Sequence, residues 1–214
     1  MIQLENTAVQ SLPARRVSAE EFCDLARQTK SSVYRPRWEV LRMLAVGEAW
    51  GAAAPDGTLE AALLVLPLEA DVSLAAGLRA LEGGLPARGF LLTPPAGAPE
   101  YLPALLKAAK NAAVRRAPPS PVRAVLEWGI GSPQAQTLET YFSQGFALRA
   151  LRPLQTMAPL ALLTSAPVNT RGQEVWVPLE DATHLALLLA RGWAAVGSRG
   201  ERGNTALRLV SLHG

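Results

Sequence analysis

Two amphipathic helical patterns enclose a short apolar run between residues 100 and 144, and this arrangement limits the possible folds most strongly. Over Glu100–Arg116, apolar side chains recur at helical spacing and fall on one side of the predicted helix. Val122–Ile130 is short and mainly apolar, as expected of a buried strand. Ser132-Pro133 opens a second helix that extends to about Gln144, with Pro133 at its first position. A strand between two such helices is typical of an α/β fold, in which helices cover a sheet.

The flanking segments carry the same mixture of patterns. Ser18 followed by Glu21 is a capping box and predicts a helix over 18–29. The upstream elements also include a helix from Pro36, a hairpin of Ala49–Ala54 and Thr58–Leu68 around Pro55-Asp56-Gly57, a helix over 72–82 and a strand over Gly89–Thr93. Downstream we predict strands over Gly145–Leu151 and Gln155–Leu163. The tail reads as strand Glu174–Pro178, helix Glu180–Arg191 and strands Trp193–Gly197 and Ala206–Leu212.

Composition narrows the class of protein. The chain has 214 residues, of which 49% are hydrophobic, enough for one sizeable core. The net charge is only +3, and no run of basic residues exceeds two, so we expect no nucleic-acid partner. The longest apolar runs are far shorter than the roughly 20 residues that cross a bilayer, so we expect no membrane segment.

Cysteine and histidine usage bears on compartment and metal binding. Cys23 is the single cysteine, which fits a reducing, cytoplasmic setting. The first residues lack the basic and apolar regions of a signal peptide. His184 and His213 are the two histidines and lie far apart, so we expect no metal site.

The helix after the apolar run carries a recognisable pattern. It reads Gln134-x-x-Thr137-x-x-Thr140-Tyr141-x-x-x-Gly145-Phe146, and Met157 follows in the next strand pair. This resembles the GNAT superfamily of N-acetyltransferases, whose helix reads Asn-x-x-Ala-x-x-Leu-Tyr-x-x-x-Gly-Phe. Tyr141, Gly145 and Phe146 match in register, whereas the first three positions differ. The resemblance covers residues 18–163 and implies a mixed, mostly antiparallel central sheet flanked by helices, within a domain over residues 1–165.

The resemblance also implies acetyl-CoA as cofactor, held where a strand runs through a loop into a helix. In this chain the loop reads Thr93-Pro94-Pro95-Ala96-Gly97-Ala98-Pro99-Glu100-Tyr101-Leu102. The backbone N–H groups that could meet the diphosphate are those of Ala96, Gly97, Ala98, Glu100 and Tyr101. The family's Arg or Gln is missing, the prolines have no N–H to donate, and the Glu100 carboxylate would repel phosphate. The alternative is a proline-capped start of helix 100–116, with Glu100 favourable against the helix dipole.

Two residues are candidates for acid and base chemistry. Acetyl transfer to an amine needs a base for the ammonium proton and an acid for the leaving thiolate. By resemblance Tyr141 is the candidate acid, although it could equally be a packing tyrosine. Glu127 interrupts an otherwise apolar strand near its end and is the candidate base. The alternative for Glu127 is a salt bridge, for example with Arg123.

Two functions therefore remain open at the level of sequence. One is an N-acetyltransferase that moves an acetyl group from acetyl-CoA to a small-molecule or peptide amine. The other is a non-catalytic protein of the same fold that binds a small ligand or a protein partner. Residues 170–214 lie outside the resemblance; they predict a β-α-β-β extension packed on the same sheet or on the partner in a homodimer.

Overall fold

The computed structural model describes residues 13–29, 35–68, 89–116, 122–128, 132–152, 160–165, 168, 172–200 and 205–212. The helices are α1 (Ala19–Gln28), α2 (Arg37–Leu44), α3 (Leu102–Arg116), α4 (Ser132–Ser143) and α5 (Ala182–Ala190), with a short 3₁₀ turn over Pro99–Tyr101. The strands are β1 (Arg15–Arg16), β2 (Glu48–Ala53), β3 (Leu59–Pro67), β4 (Phe90–Leu92), β5 (Ala96–Gly97), β6 (Val122–Glu127), β7 (Ala147–Arg152), β8 (Leu160–Thr164), β9 (Glu174–Pro178), β10 (Trp193–Arg199) and β11 (Ala206–Ser211). The predicted helix over 72–82 and Met157 fall outside the described residues.

The described strands form one sheet in the order β1-β2-β3-β4-β6-β8-β7-β10-β11-β9, and β5 pairs with β3 beside this path. β4 and β6 run parallel, with Phe90 opposite Val122, and the other described pairs are antiparallel. The predicted fold class, a mixed and mostly antiparallel sheet flanked by helices, is confirmed. β10 pairs with β7 at Ala195 and Leu148, so the strands of the tail continue the same sheet.

Helices cover both faces of the sheet, and β3 shows how the sequence directs this. Successive side chains of a strand point to opposite faces. Leu63 and Val65 pack in a large core that includes the inner sides of α3, α4 and α5. Leu64 and Leu66 pack on the other face against α1 and α2. β3 is therefore buried on both faces, which explains its almost continuous apolar sequence.

Local signals in the sequence place several boundaries. At α1, the Ser18 hydroxyl accepts from the Glu21 N–H at 3.2 Å, and Glu21 accepts from the Ser18 N–H at 2.7 Å, so the capping box is confirmed. Gly145 follows α4 with a φ of +75°, the left-handed conformation predicted for a residue that ends a helix. The start predicted for the last helix was two residues early, because Asp181 caps it by accepting from the His184 N–H at 3.0 Å.

Candidate functional site

The parallel pair β4 and β6 defines one edge of the sheet at which two helices begin. β4 leads through Thr93–Ala98 into the 3₁₀ turn and α3, and β6 is followed by α4. Because the two strands are parallel, their carboxyl ends lie at the same edge. In open, mostly parallel α/β sheets, ligands bind in the crevice outside the carboxyl ends of the strands, and among the described strands β4 and β6 are the pair with this arrangement. This edge is therefore where we expect a ligand.

A cleft of about 240 Å³ opens here between the start of α3 and the neighbouring side of α4. Ligand pockets commonly measure roughly 300–1,000 Å³, so this one suits a small ligand or one end of a longer molecule. Its lining residues come from two short stretches of chain: Pro99, Glu100, Pro103, Gln136, Thr137 and Thr140. We call this feature the α3–α4 cleft.

The polar groups of the α3–α4 cleft include strong hydrogen-bond acceptors. Glu100 is exposed, and its carboxylate has no ion-pair partner among the described residues. The Thr140 hydroxyl donates to the Gln136 carbonyl at 3.0 Å, which leaves its oxygen free to accept. Pro99 and Pro103 add ring surface and no N–H. Among the described residues that line the cleft, none is lysine, arginine or histidine.

The loop that leads to α3 is held against β3. Ala96 and Gly97 form β5 and pair with Ala62 and Ala61 of β3, a pairing that the sequence did not indicate. Gly97 has a φ of +96°, and a Cβ there would lie 1.9 Å from the Glu60 carbonyl oxygen. Gly97 is therefore required by the close approach of the β3 backbone.

Two of the loop's five candidate N–H groups donate within the protein. The Ala98 N–H donates to the Glu60 carbonyl at 2.8 Å, and the Tyr101 N–H donates to the Ala98 carbonyl at 3.3 Å. Pro99 has no N–H, and the exposed Glu100 carboxylate lies in the same turn. A diphosphate needs several converging N–H donors and no opposing charge. The loop therefore has fewer free N–H donors than the resemblance implies, and the Glu100 charge opposes a diphosphate.

The remaining residue of the loop prediction, Tyr101, packs its ring into the core and is buried. Burial raises the pKa of the Tyr101 hydroxyl above its usual value, and the carboxylates of Glu60 and Glu100 raise it further. Tyr101 therefore stays protonated at neutral pH, and its ring anchors the start of α3 on the sheet.

Tyr141 lies on the inner side of α4, where its side chain is 0% exposed. Its ring meets Phe146 edge to face, with 5.3 Å between ring centroids. Burial raises the pKa of the hydroxyl, and that hydroxyl has no hydrogen-bond partner among the described residues. Thr140, the preceding residue, lines the α3–α4 cleft, whereas Tyr141 is not part of its wall. Tyr141 could meet a substrate only if the substrate reached the core.

Glu127 is the last residue of β6, and its backbone lies opposite Leu160 of β8. Its side chain is outside the described part of the structure, so its role as a base and its pairing with Arg123 stay predictions. Trp128 follows at the same edge of the sheet and is buried in the core. Its indole N–H has no partner among the described residues.

Sequence reasoning did not select Gln136, Thr137 and Thr140 as site residues. The spacing of three and four residues places them on one side of a helix, and this signal was available. Thr137 and Thr140 are also two of the positions at which the chain departs from the family pattern, where polar groups replace apolar ones. Because both departures lie on the same face of α4, we infer that this face differs from the one that the family pattern describes.

Among the described residues, no group of three or more His, Cys, Asp and Glu side chains could hold a metal ion. In the same part of the chain, every helix is too short or too polar to span a bilayer.

No protein-family model matches this chain, and no curated protein matches it. One similar solved structure, from Corynebacterium glutamicum, is described as histone acetyltransferase HPA2 and related acetyltransferase; it is 16% identical over 76% of this chain and 98% of that one, with a TM-score of 0.45. Another, from Enterococcus faecalis, is a conserved protein of unknown function described as a probable N-acyltransferase. It is 11% identical over 82% of this chain and 42% of that one, with a TM-score of 0.39. Neither likeness is close enough to decide the activity of this chain.

Proposed function

We propose that this chain is a small-ligand-binding protein with a GNAT-like fold that does not hold acetyl-CoA in the manner of the family. The observation that carries the proposal is the loop before α3. Its Ala98 N–H donates to Glu60, and Gly97 meets the β3 backbone. The Ala98 N–H is therefore not free for a diphosphate, and the Glu100 carboxylate in the same turn would repel one. The α3–α4 cleft beside it provides the volume for a different, smaller ligand.

The second candidate is an N-acetyltransferase that moves an acetyl group from acetyl-CoA to an amine. The buried hydroxyl of Tyr141 favours it, because an unpartnered buried polar group costs about 1–3 kcal/mol and is rarely kept without a reason. Tyr141 would then be the acid and Glu127 the base. Acetyl-CoA would have to bind by contacts other than those the loop supplies in the family.

One pair of assays separates the two candidates. The first follows the melting temperature with acetyl-CoA at millimolar concentration, because a ligand that binds the native state alone must stabilise it. The second follows release of the coenzyme A thiol with a panel of primary amines. We expect no rise in melting temperature and no amine-dependent thiol release. A clear rise together with thiol release would make the chain an N-acetyltransferase.

If thiol release is observed, Tyr141→Phe tests whether Tyr141 is the acid. It removes one hydroxyl and keeps the ring that packs on Phe146. If the chain is a transferase, this variant folds normally and loses most of its thiol release. If Tyr141 only packs the core, the free energy of unfolding stays the same or rises, because the variant buries one unpartnered oxygen fewer.

A further inference from the structure

The α3–α4 cleft carries one full charge, on Glu100, beside neutral polar side chains that include the Gln136 amide, which can both donate and accept. The Glu100 carboxylate accepts hydrogen bonds and carries a full negative charge. The Thr140 hydroxyl uses its proton on the Gln136 carbonyl, so toward a ligand its oxygen acts as an acceptor. Pro99 and Pro103 cannot donate from their backbone nitrogens. The groups that such a surface binds best are charged N–H donors.

Competing positive charge near the cleft is small. The next basic residue along α3, Lys107, is exposed, lies about two helical turns beyond Glu100 and does not line the cleft. The start of the helix contributes roughly half a positive charge, and the Glu100 carboxylate in the first turn outweighs it. Among the described residues that line the cleft, Glu100 therefore carries the only full charge.

We propose that the α3–α4 cleft binds a small ligand through an ammonium or guanidinium group, with Glu100 as its counter-ion. The charge of the ligand is thus opposite to that of the diphosphate that the family resemblance implies for this turn. The proline rings suit a short aliphatic chain attached to the cation, and the volume of about 240 Å³ admits such a molecule. The inference deepens the proposed function by naming the class of ligand.

The test is a titration of the ¹⁵N-labelled protein with butylammonium chloride, followed by amide chemical shifts at constant ionic strength. The ceiling on binding free energy per heavy atom limits a five-heavy-atom ligand to a Kd of roughly a few micromolar, and we expect a value on the order of millimolar. We expect the amides of Glu100, Gln136, Thr137 and Thr140 to shift together. Glu100→Gln should weaken binding at least about tenfold, whereas Glu180→Gln, an equal charge change at an exposed residue outside the cleft, should leave it unchanged.

Neutral and anionic probes complete the design. 1-Butanol has the same chain without the charge and should not shift these amides at equal concentration. Sodium pyrophosphate should not shift them either. The inference is overturned if butylammonium has no effect, if Glu100→Gln binds it as well as wild type, or if pyrophosphate is the probe that binds. Because no coenzyme A is used, failure of this titration would leave the acetyl-CoA assays of the proposed function unaffected.

Discussion

Gly97→Ala tests whether the loop before α3 is shaped by β3 or by a cofactor. In the structure, Gly97 has a φ of +96°, and an added Cβ would meet the Glu60 carbonyl oxygen at 1.9 Å. Real Cβ contacts are essentially never shorter than 3.0 Å, so the backbone must move. If the loop is instead shaped by a cofactor, the substitution should cost only the strain of the positive φ and should mainly weaken cofactor binding.

The expected magnitude has two parts. A residue with a side chain in this region of φ costs about 1–3 kcal/mol. Moving β5 away from β3 also weakens or breaks the hydrogen bond from the Ala98 N–H to the Glu60 carbonyl. A bond of this kind contributes about 0.5–1.5 kcal/mol. We therefore expect Gly97→Ala to lower the free energy of unfolding by about 3 kcal/mol.

Gly57→Ala is the matched control, measured by urea unfolding with tryptophan fluorescence as the signal. Gly57 has a φ of +89°, but nothing lies within 4 Å of its added Cβ. Its substitution should cost only the same backbone strain, about 1–3 kcal/mol, without the added loss at Glu60. Equal losses in the two variants would refute the argument, since the contact with Glu60 would then contribute nothing.

Three further predictions concern the fold. Phe146→Ala should lower the free energy of unfolding by roughly 3–5 kcal/mol, as for a buried aromatic that leaves a cavity, and a loss under about 1 kcal/mol in urea would contradict its burial. A chain that ends at Ser165 should be insoluble or melt without cooperativity, because it exposes the edge of β7 that β10 covers; a sharp calorimetric transition would show that the tail is dispensable. A hydrogen bond from Arg15 holds the pKa of Glu21 at about 2, below the ordinary 4.5. The contribution of the ionised Glu21 carboxylate to the free energy of unfolding is therefore complete above pH 4.5 and is lost as the pH falls toward 2. The stability gap between wild type and Glu21→Gln should narrow over that range in acid-titrated urea melts, and a constant gap would count against the shift.

Most helices and strands could be predicted from the sequence because their signals are local. The capping box of Ser18 and Glu21 and the helix-ending Gly145 depend only on neighbouring residues. The pairing of β5 with β3 could not be predicted, since it depends on a carbonyl at Glu60, far away in the chain. Because Glu60 is far away in the sequence, the steric need for glycine at position 97 could not be predicted either. The family resemblance instead implied that the Gly97 N–H meets the cofactor.

The candidate site was only partly visible in the sequence, for a related reason. The opposing charge of Glu100 and the missing N–H groups of the prolines could be read directly. Which side of α4 faces the cleft depends on how the helix packs. That packing places Thr140 in the cleft and Tyr141 in the core, although they are adjacent in the chain.

The most direct test of the account is a residue-resolved NMR comparison of butylammonium and acetyl-CoA, each titrated separately into the wild-type protein. The account predicts that butylammonium shifts the amides of the α3–α4 cleft and that acetyl-CoA at millimolar concentration leaves them in place. Shifts of Ala96–Tyr101 by acetyl-CoA at micromolar concentration, with no response to butylammonium, would contradict it.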